Sequence, residues 1–154
     1  MGQPDFNSSG DADFTDATCV YVCTTCRSAS EPLEPKEARA GARLHDELAA
    51  RAGAGIEIVG VECLSVCKRP CTVSFAAPGK WTYVYGDLSP GVSADTILAG
   101  ARLHAQAPDG VIPWKQRPDA LKKGVVARIP PHGFNPDAMK DAPMKDAPMK
   151  EAAE

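Results

Sequence analysis

The chain has 154 residues, 44% of them hydrophobic and 24% charged, which fits one globular domain with flexible ends. A formal net charge of −3 argues against nucleic acid, which demands a basic face, and permits docking onto a basic partner. No apolar run approaches the ~18 residues that would span a bilayer.

Met1 to Thr18 is acidic and lacks the apolar stretch of a signal peptide. Phe6 stands where a myristoylation signal needs Ser or Thr. The expectation is a cytoplasmic chain with no membrane contact. In that reducing compartment six cysteines in two tight clusters read as metal-binding or redox-active before they read as structural disulfides.

Residues 1–17 are polar, rich in Asp, Ser and Gly, and read as a disordered leader. Thr18 to Val22 is β-branched and aromatic and predicts a first strand ending at Cys23. Ser28 to Pro35 is a loop. Pro35 suits the first turn of a helix, where its missing N–H is not needed. The helix is predicted over Lys36 to Ala52, with Gly41, Leu44, Leu48 and Ala52 on one narrow face, and Gly53-Ala54-Gly55 stops it. Ile56 to Val61 is apolar enough to predict a mostly buried strand. Strand, helix and strand at this spacing make a βαβ unit, hence a parallel pair.

Thr72 to Ala76 and Trp81 to Tyr85 are strand-like, and the turn Ala77-Pro78-Gly79-Lys80 joins them as a hairpin. Ser93 is placed to cap a second helix over Ala94 to Gln106, with Asp95 in its first turn and Pro108-Asp109-Gly110 after its end. Ala40-Gly41-Ala42-Arg43-Leu44-His45 recurs as Ala99-Gly100-Ala101-Arg102-Leu103-His104. Close packing of both helices on a sheet accounts for the repeat better than duplication, because the flanking residues do not match.

Residues 18–107 thus form the domain, and 108–136 an extension packed on or beside it. Residues 137–154 repeat Met-Lys-Asp-Ala-Pro, a low-complexity pattern that cannot bury a core and predicts a disordered tail. His45 and His104 sit beside leucines in helices and read as packed side chains, and His132 has no evident partner. No nucleophile–base pair or phosphate loop is present, so the expectation is a protein that is not an enzyme.

The cysteines carry the chemistry. The first cluster is Cys19-Val-Tyr-Val-Cys23-Thr-Thr-Cys26, and the second is Cys63-Leu-Ser-Val-Cys67-Lys-Arg-Pro-Cys71. Cys19 and Cys23 on one strand are ~13 Å apart at ~3.3 Å per residue, too far for one metal. Cys23 and Cys26 are the natural pair, and Cys19 reads as a buried apolar residue. Cys63 and Cys67 follow the second strand directly. Cys71, past Pro70, points away or flanks the site and is the reserve ligand. Four thiolates from Cys23, Cys26, Cys63 and Cys67 suit a [2Fe–2S] cluster or a structural or trafficking zinc. Cys-x-x-Cys beside a βαβ pattern also allows a dithiol/disulfide oxidoreductase, although Glu31 to Pro35 separates the pair from the helix start that would lower a thiol's pKa.

Strand–Cys23, helix, strand–Cys63-x3-Cys67, hairpin, helix resembles the thioredoxin-like [2Fe–2S] ferredoxins and the related iron–sulfur subunit of bacterial complex I. The resemblance covers roughly residues 18 to 107. Val-Cys-Thr-Thr-Cys-Arg, Glu-Cys-Leu-Ser-Val-Cys-Lys-Arg-Pro-Cys and Pro-Asp-Gly-Val-Ile-Pro-Trp-Lys also resemble a bacterial family of small metal-binding proteins often encoded near cobalamin-synthesis genes. The fold implied is α/β and thioredoxin-like. The function implied is a small [2Fe–2S] electron carrier that serves a redox partner protein, with a donor role in a biosynthetic pathway such as cobalamin synthesis suggested by the resemblance and a homodimer allowed. The first cysteine pair is closer together here than in the ferredoxins. Lys68 and Arg69 would lie beside the cluster, either raising its potential or contacting a partner.

Overall fold

The computed structural model describes residues 17–27 and 35–137. Apart from Ala17 and Asp137, the leader and tail read from the sequence lie outside the described residues, as does most of the Ser28–Pro35 loop. Strand β1 (Thr18–Cys23) runs through the middle of the domain. Its side chains alternate as a pleated strand requires: Thr18, Val20 and Val22 are fully buried, while Cys19 and Tyr21 are partly exposed.

Strand β2 (Ile56–Val61) pairs with β1 in parallel, from Thr18 opposite Ile56 to Cys23 opposite Val61. On its other side β1 pairs antiparallel with β3 (Val73–Ala76), which forms a hairpin with β4 (Thr82–Tyr85). Helices α1 (Ala40–Arg51) and α2 (Ala94–Gln106) pack against each other and against β1 and β2. A parallel βαβ unit followed by an antiparallel hairpin and a helix is the thioredoxin-like α/β arrangement expected from the sequence.

Leu44 and Leu48 of α1 and Ile97 and Ala101 of α2 share one core with Val20, Val22, Phe75, Tyr83 and Tyr85. Fully burying side chains of this size contributes about 1.5–3 kcal/mol each. The aromatic part of the core is ordered: the Tyr83 and Tyr85 rings stack at 5.6 Å, and Phe75 lies 5.0 Å from Tyr85.

Four sequence expectations change. The first helix is not continuous from Lys36, because Lys36–Ala38 is a 3-10 turn and Arg39 is extended, with ψ 154°, so α1 begins at Ala40. Strand β2 is half-exposed rather than buried, because it is an edge of a sheet ordered β2-β1-β3-β4-β5. Ser93 holds the N-cap position of α2 as expected, but its side chain makes no capping bond. Its hydroxyl oxygen accepts the Ser89 amide at 3.0 Å, upstream of the helix.

The fourth change lies in residues 111–134, where the sequence pattern predicted no strand. Here α3 (Asp119–Lys123) is followed by β5 (Val125–Ile129), which pairs antiparallel with β4 and widens the sheet to five strands. Five residues with one charged side chain carry too little alternation to announce a strand. Only the free edge of β4 makes them one.

The repeated hexapeptide has a packing cause at each copy. A Cβ on Gly41 would lie 2.0 Å from the Cys23 carbonyl oxygen, and one on Gly100 would lie 2.2 Å from the Leu121 side chain. His104 is fully buried, with Nε2 donating to the Trp81 carbonyl at 2.7 Å and Nδ1 accepting the Thr18 hydroxyl at 2.7 Å. Burial lowers its pKa, and the neighbouring Lys80 ammonium also acts against the charged ring. Lys80 itself is buried and donates to the carbonyls of His104 and Ala105 at the end of α2.

Candidate metal centre

The parallel register brings the two cysteine clusters to the same end of the sheet. Cys23 closes β1 opposite Val61, the last residue of β2, so the loops that follow leave the sheet side by side. They are tied together by the two threonines between Cys23 and Cys26. The Thr24 amide and hydroxyl donate to the Val61 carbonyl at 2.8 and 3.1 Å, and the Thr25 hydroxyl donates to the Glu62 carbonyl. The Cys23 thiol also reaches the Glu62 carbonyl, at 3.6 Å.

Helix α1 braces this loop from the opposite side. The Gly41 amide donates to the Cys26 carbonyl at 3.0 Å, and the absence of a side chain at Gly41 allows that approach. Thr72, fully buried ahead of β3, approaches from a third direction, its hydroxyl oxygen 4.0 Å from the Cys26 sulfur and its hydroxyl donating to the Arg69 carbonyl at 3.3 Å. The threonines at 24, 25 and 72 are the site residues the sequence reading passed over. Two adjacent threonines within Cys-x-x-Cys were the available signal, since a hydroxyl beside a strand end bonds readily to neighbouring backbone.

The two sulfurs of the first loop are in unequal states. For Cys23, burial opposes ionisation, but hydrogen bonding by Cys26 and by the backbone at Leu64 and Thr25 outweighs it and lowers the thiol's pKa. Cys26 is pushed up to about 12, by burial first and then by the adjacent Cys23. Cys23 is thus the more readily ionised of the two, and Cys26 holds its proton more firmly.

The second loop differs. Cys63 and Cys67 are both exposed. The Ser65 amide donates to the Cys63 sulfur at 3.2 Å, and Ser65 takes a left-handed conformation, with φ 61°, which folds the loop back on itself. None of the six cysteines is in a disulfide. Among the described residues no three His, Cys, Asp or Glu side chains already converge at metal-binding distance.

Cys71 is 1% exposed and lies two residues before β3, where its amide and carbonyl exchange bonds with Leu88 at 2.8 and 3.3 Å. Cys19 is partly exposed on the sheet face away from the helices, so the expected full burial is not found. Its pKa is raised, by burial first, although a bond with the Tyr21 side chain works against that.

Arg69 is not a charge held beside the cysteines. Its guanidinium pairs with Asp87 at 2.8 Å and donates to the Lys123 and Val125 carbonyls, which clamps the second loop to the start of β5. Gly86 receives the Arg69 carbonyl so closely that a Cβ would lie 2.6 Å from it. Lys68 remains exposed.

Residues 20–131 match the model of a family described as a protein of unknown function, DUF1636. The chain belongs to this family. The DUF1636 match takes in five of the six cysteines and every strand beyond the first residues of β1. A solved structure, a thioredoxin-like [2Fe–2S] ferredoxin from Aquifex aeolicus, is 15% identical over 77% of this chain and 98% of its own, with a TM-score of 0.47. No curated protein matches the chain. No helix among the described residues is long and apolar enough to cross a membrane.

Proposed function

We propose that the chain is a small electron carrier in which Cys23, Cys26, Cys63 and Cys67 hold a [2Fe–2S] cluster. The observation that carries this reading is the parallel register of β1 and β2, which brings the two cysteine loops out at the same end of the sheet. Thr24 and Thr25 of the first loop bond the Val61 and Glu62 carbonyls where the second loop begins, and the Ser65 amide of the second donates to the Cys63 sulfur at 3.2 Å. Backbone N–H groups aimed at a thiolate are the means by which a protein stabilises a cluster's negative charge and sets its potential.

The donor set fits the group. Cys23 and Cys26 are fixed between α1 and the sheet, and Cys63 and Cys67 stand on an exposed loop that can close over a bound cluster. A cation at Cys26 supplies what that thiol needs to ionise. When bound, the cluster supplies one-electron chemistry. The protein's share is to hold the sulfurs, exclude water on the α1 side and leave the loop side open to a partner. Electron supply to a biosynthetic step, cobalamin synthesis among them, belongs to the same proposal.

The test is anaerobic purification followed by iron and sulfide analysis and a visible spectrum. A red-brown protein with about two irons and two sulfides per chain, bleached by dithionite, is expected. A colourless protein with one zinc per chain would instead make the same thiolates a structural or trafficking site and remove the electron-transfer role.

A second reading, a dithiol/disulfide oxidoreductase, is favoured by the unequal thiols of Cys23 and Cys26. The Cys23 thiolate would attack a substrate disulfide and form a mixed disulfide. Cys26 would then displace the substrate as its dithiol, leaving a Cys23–Cys26 disulfide. Insulin reduction that is lost in Cys23→Ser but kept in Cys63→Ser would select this reading.

A further inference from the structure

The segment 111–129 has a charge opposite to that of the whole chain. It carries Lys115, Arg117, Lys122, Lys123 and Arg128 against the single acid Asp119, in a protein of formal net charge −3. The cations are not scattered. Trp114, 44% exposed, has the Arg117 guanidinium 5.3 Å and the Lys122 ammonium 5.6 Å from its ring centroid. Lys115, next to Trp114, and Lys123, next to Lys122, are exposed.

The same segment adjoins the second cysteine loop. Arg69 donates to the Lys123 carbonyl at 3.3 Å, two residues after Cys67, and the Gly86 amide donates to the Gly124 carbonyl at 2.8 Å. Lys68 is exposed on that loop. Two arginines are matched with acids, Arg51 with Asp95 at 3.1 Å and Arg69 with Asp87 at 2.8 Å. Among the described residues Lys68, Lys115 and Lys123 form no ion pair, and Lys122 holds only a 3.7 Å contact to Asp119.

We propose that Lys68 of the second cysteine loop, with Trp114, Lys115, Lys122 and Lys123 of the segment to which that loop is bonded through Arg69, forms a docking surface for an acidic partner protein. An exposed tryptophan ringed by cations combines an anchor with electrostatic steering, the features of a protein–protein site. Mutual repulsion among the lysines is relieved when carboxylates are placed against them. Naming this partner as the acceptor or donor for the cysteine site rests on the reading above. The docking itself needs no cluster, so the two can fail separately.

The probe is a fluorescein-labelled polyglutamate peptide of about 20 residues, followed by anisotropy against the full chain at low salt. Saturable binding is expected, weakened about tenfold as sodium chloride rises from roughly 20 to 200 mM. Charge reversal in K115E/K122E/K123E is expected to weaken it at least tenfold, and Lys36→Glu to leave it unchanged. Trp114→Ala, which keeps every charge, should lose severalfold and serves alone if the triple variant does not fold.

Absence of binding, or binding equal in wild type and all of these variants, overturns the proposal. Tighter binding to a single-stranded oligonucleotide or to phosphatidylglycerol vesicles also overturns it, by giving the surface to another class of partner.

Discussion

The two cysteine loops sit side by side at one end of the sheet yet are built to opposite specifications. Cys23 and Cys26 are nearly inaccessible, at 2% and 6% exposure, and are held by Gly41 of α1, by Thr72 and by the carbonyls of the neighbouring loop. Cys63 and Cys67 are exposed, and the bonds that shape their loop come from Ser65 and from the Arg69 clamp at its far end. One half of the candidate site is therefore preorganised and the other adaptable. That division suits a centre that must be fixed toward the core and open toward a partner, since sites on rigid elements are positioned more closely than sites on loops.

The sharpest way to break the contrast is to remove the space that lets α1 touch the first loop. Gly41→Ala drives a methyl into the Cys23 carbonyl and is expected to cost about 3 kcal/mol, near the top of the range for overpacking, because backbone is on both sides of the clash. Gly53→Ala, with nothing within 4 Å of the added carbon, is the control and should change stability little. Urea denaturation of the two variants measures the difference.

Thiol accessibility comes next. In the metal-free native protein, iodoacetamide should modify Cys63 and Cys67 at least about 100-fold faster than Cys26, whose thiol is both buried and pushed up to about 12. Peptide mapping by mass spectrometry reads the order, and equal rates would mean that the first loop opens as freely as the second.

Smaller again is the effect at the loop's clamp. Arg69→Ala removes the Asp87 pair and the bonds to the Lys123 and Val125 carbonyls, for an expected loss of about 1–2 kcal/mol. Faster amide exchange should follow in residues 63–71 and at the start of β5, while the first loop keeps its protection. Equal loosening of both loops would show that they are a single unit.

The smallest effect lies in the pH dependence set by His104, remote from both loops. Its folded pKa is lowered, so above about 6.5 the ring is neutral in both folded and unfolded chains and its bonds to Thr18 and Trp81 are retained. As pH falls through that value toward the lowered folded one, the unfolded chain takes up the proton first and stability declines. Denaturation midpoints at pH 7.5 and 5.5 should differ in that direction, and His104→Gln should flatten the difference.

Local pattern was enough for most of the architecture. The strands at 18–23 and 56–61, the hairpin and the helix over Ala94–Gln106 all follow from residue type, glycine stops and apolar spacing, because each is determined within a few residues. That the two cysteine loops leave the same end of the sheet also follows once β1 and β2 are known to be parallel.

Tertiary structure decided what depends on a neighbour distant in sequence. Val125–Ile129 becomes a strand only because β4 offers it an edge, and β2 is half-exposed only because nothing pairs on its outer side. Arg69 looked like a charge for the cysteines, but Asp87 and two carbonyls draw it to β5. The cysteine spacing by itself raised the expectation of metal or redox chemistry at sulfur. Only the fold could lower the pKa of Cys23 and raise that of Cys26, because burial and hydrogen bonding, not spacing, govern where a proton stays.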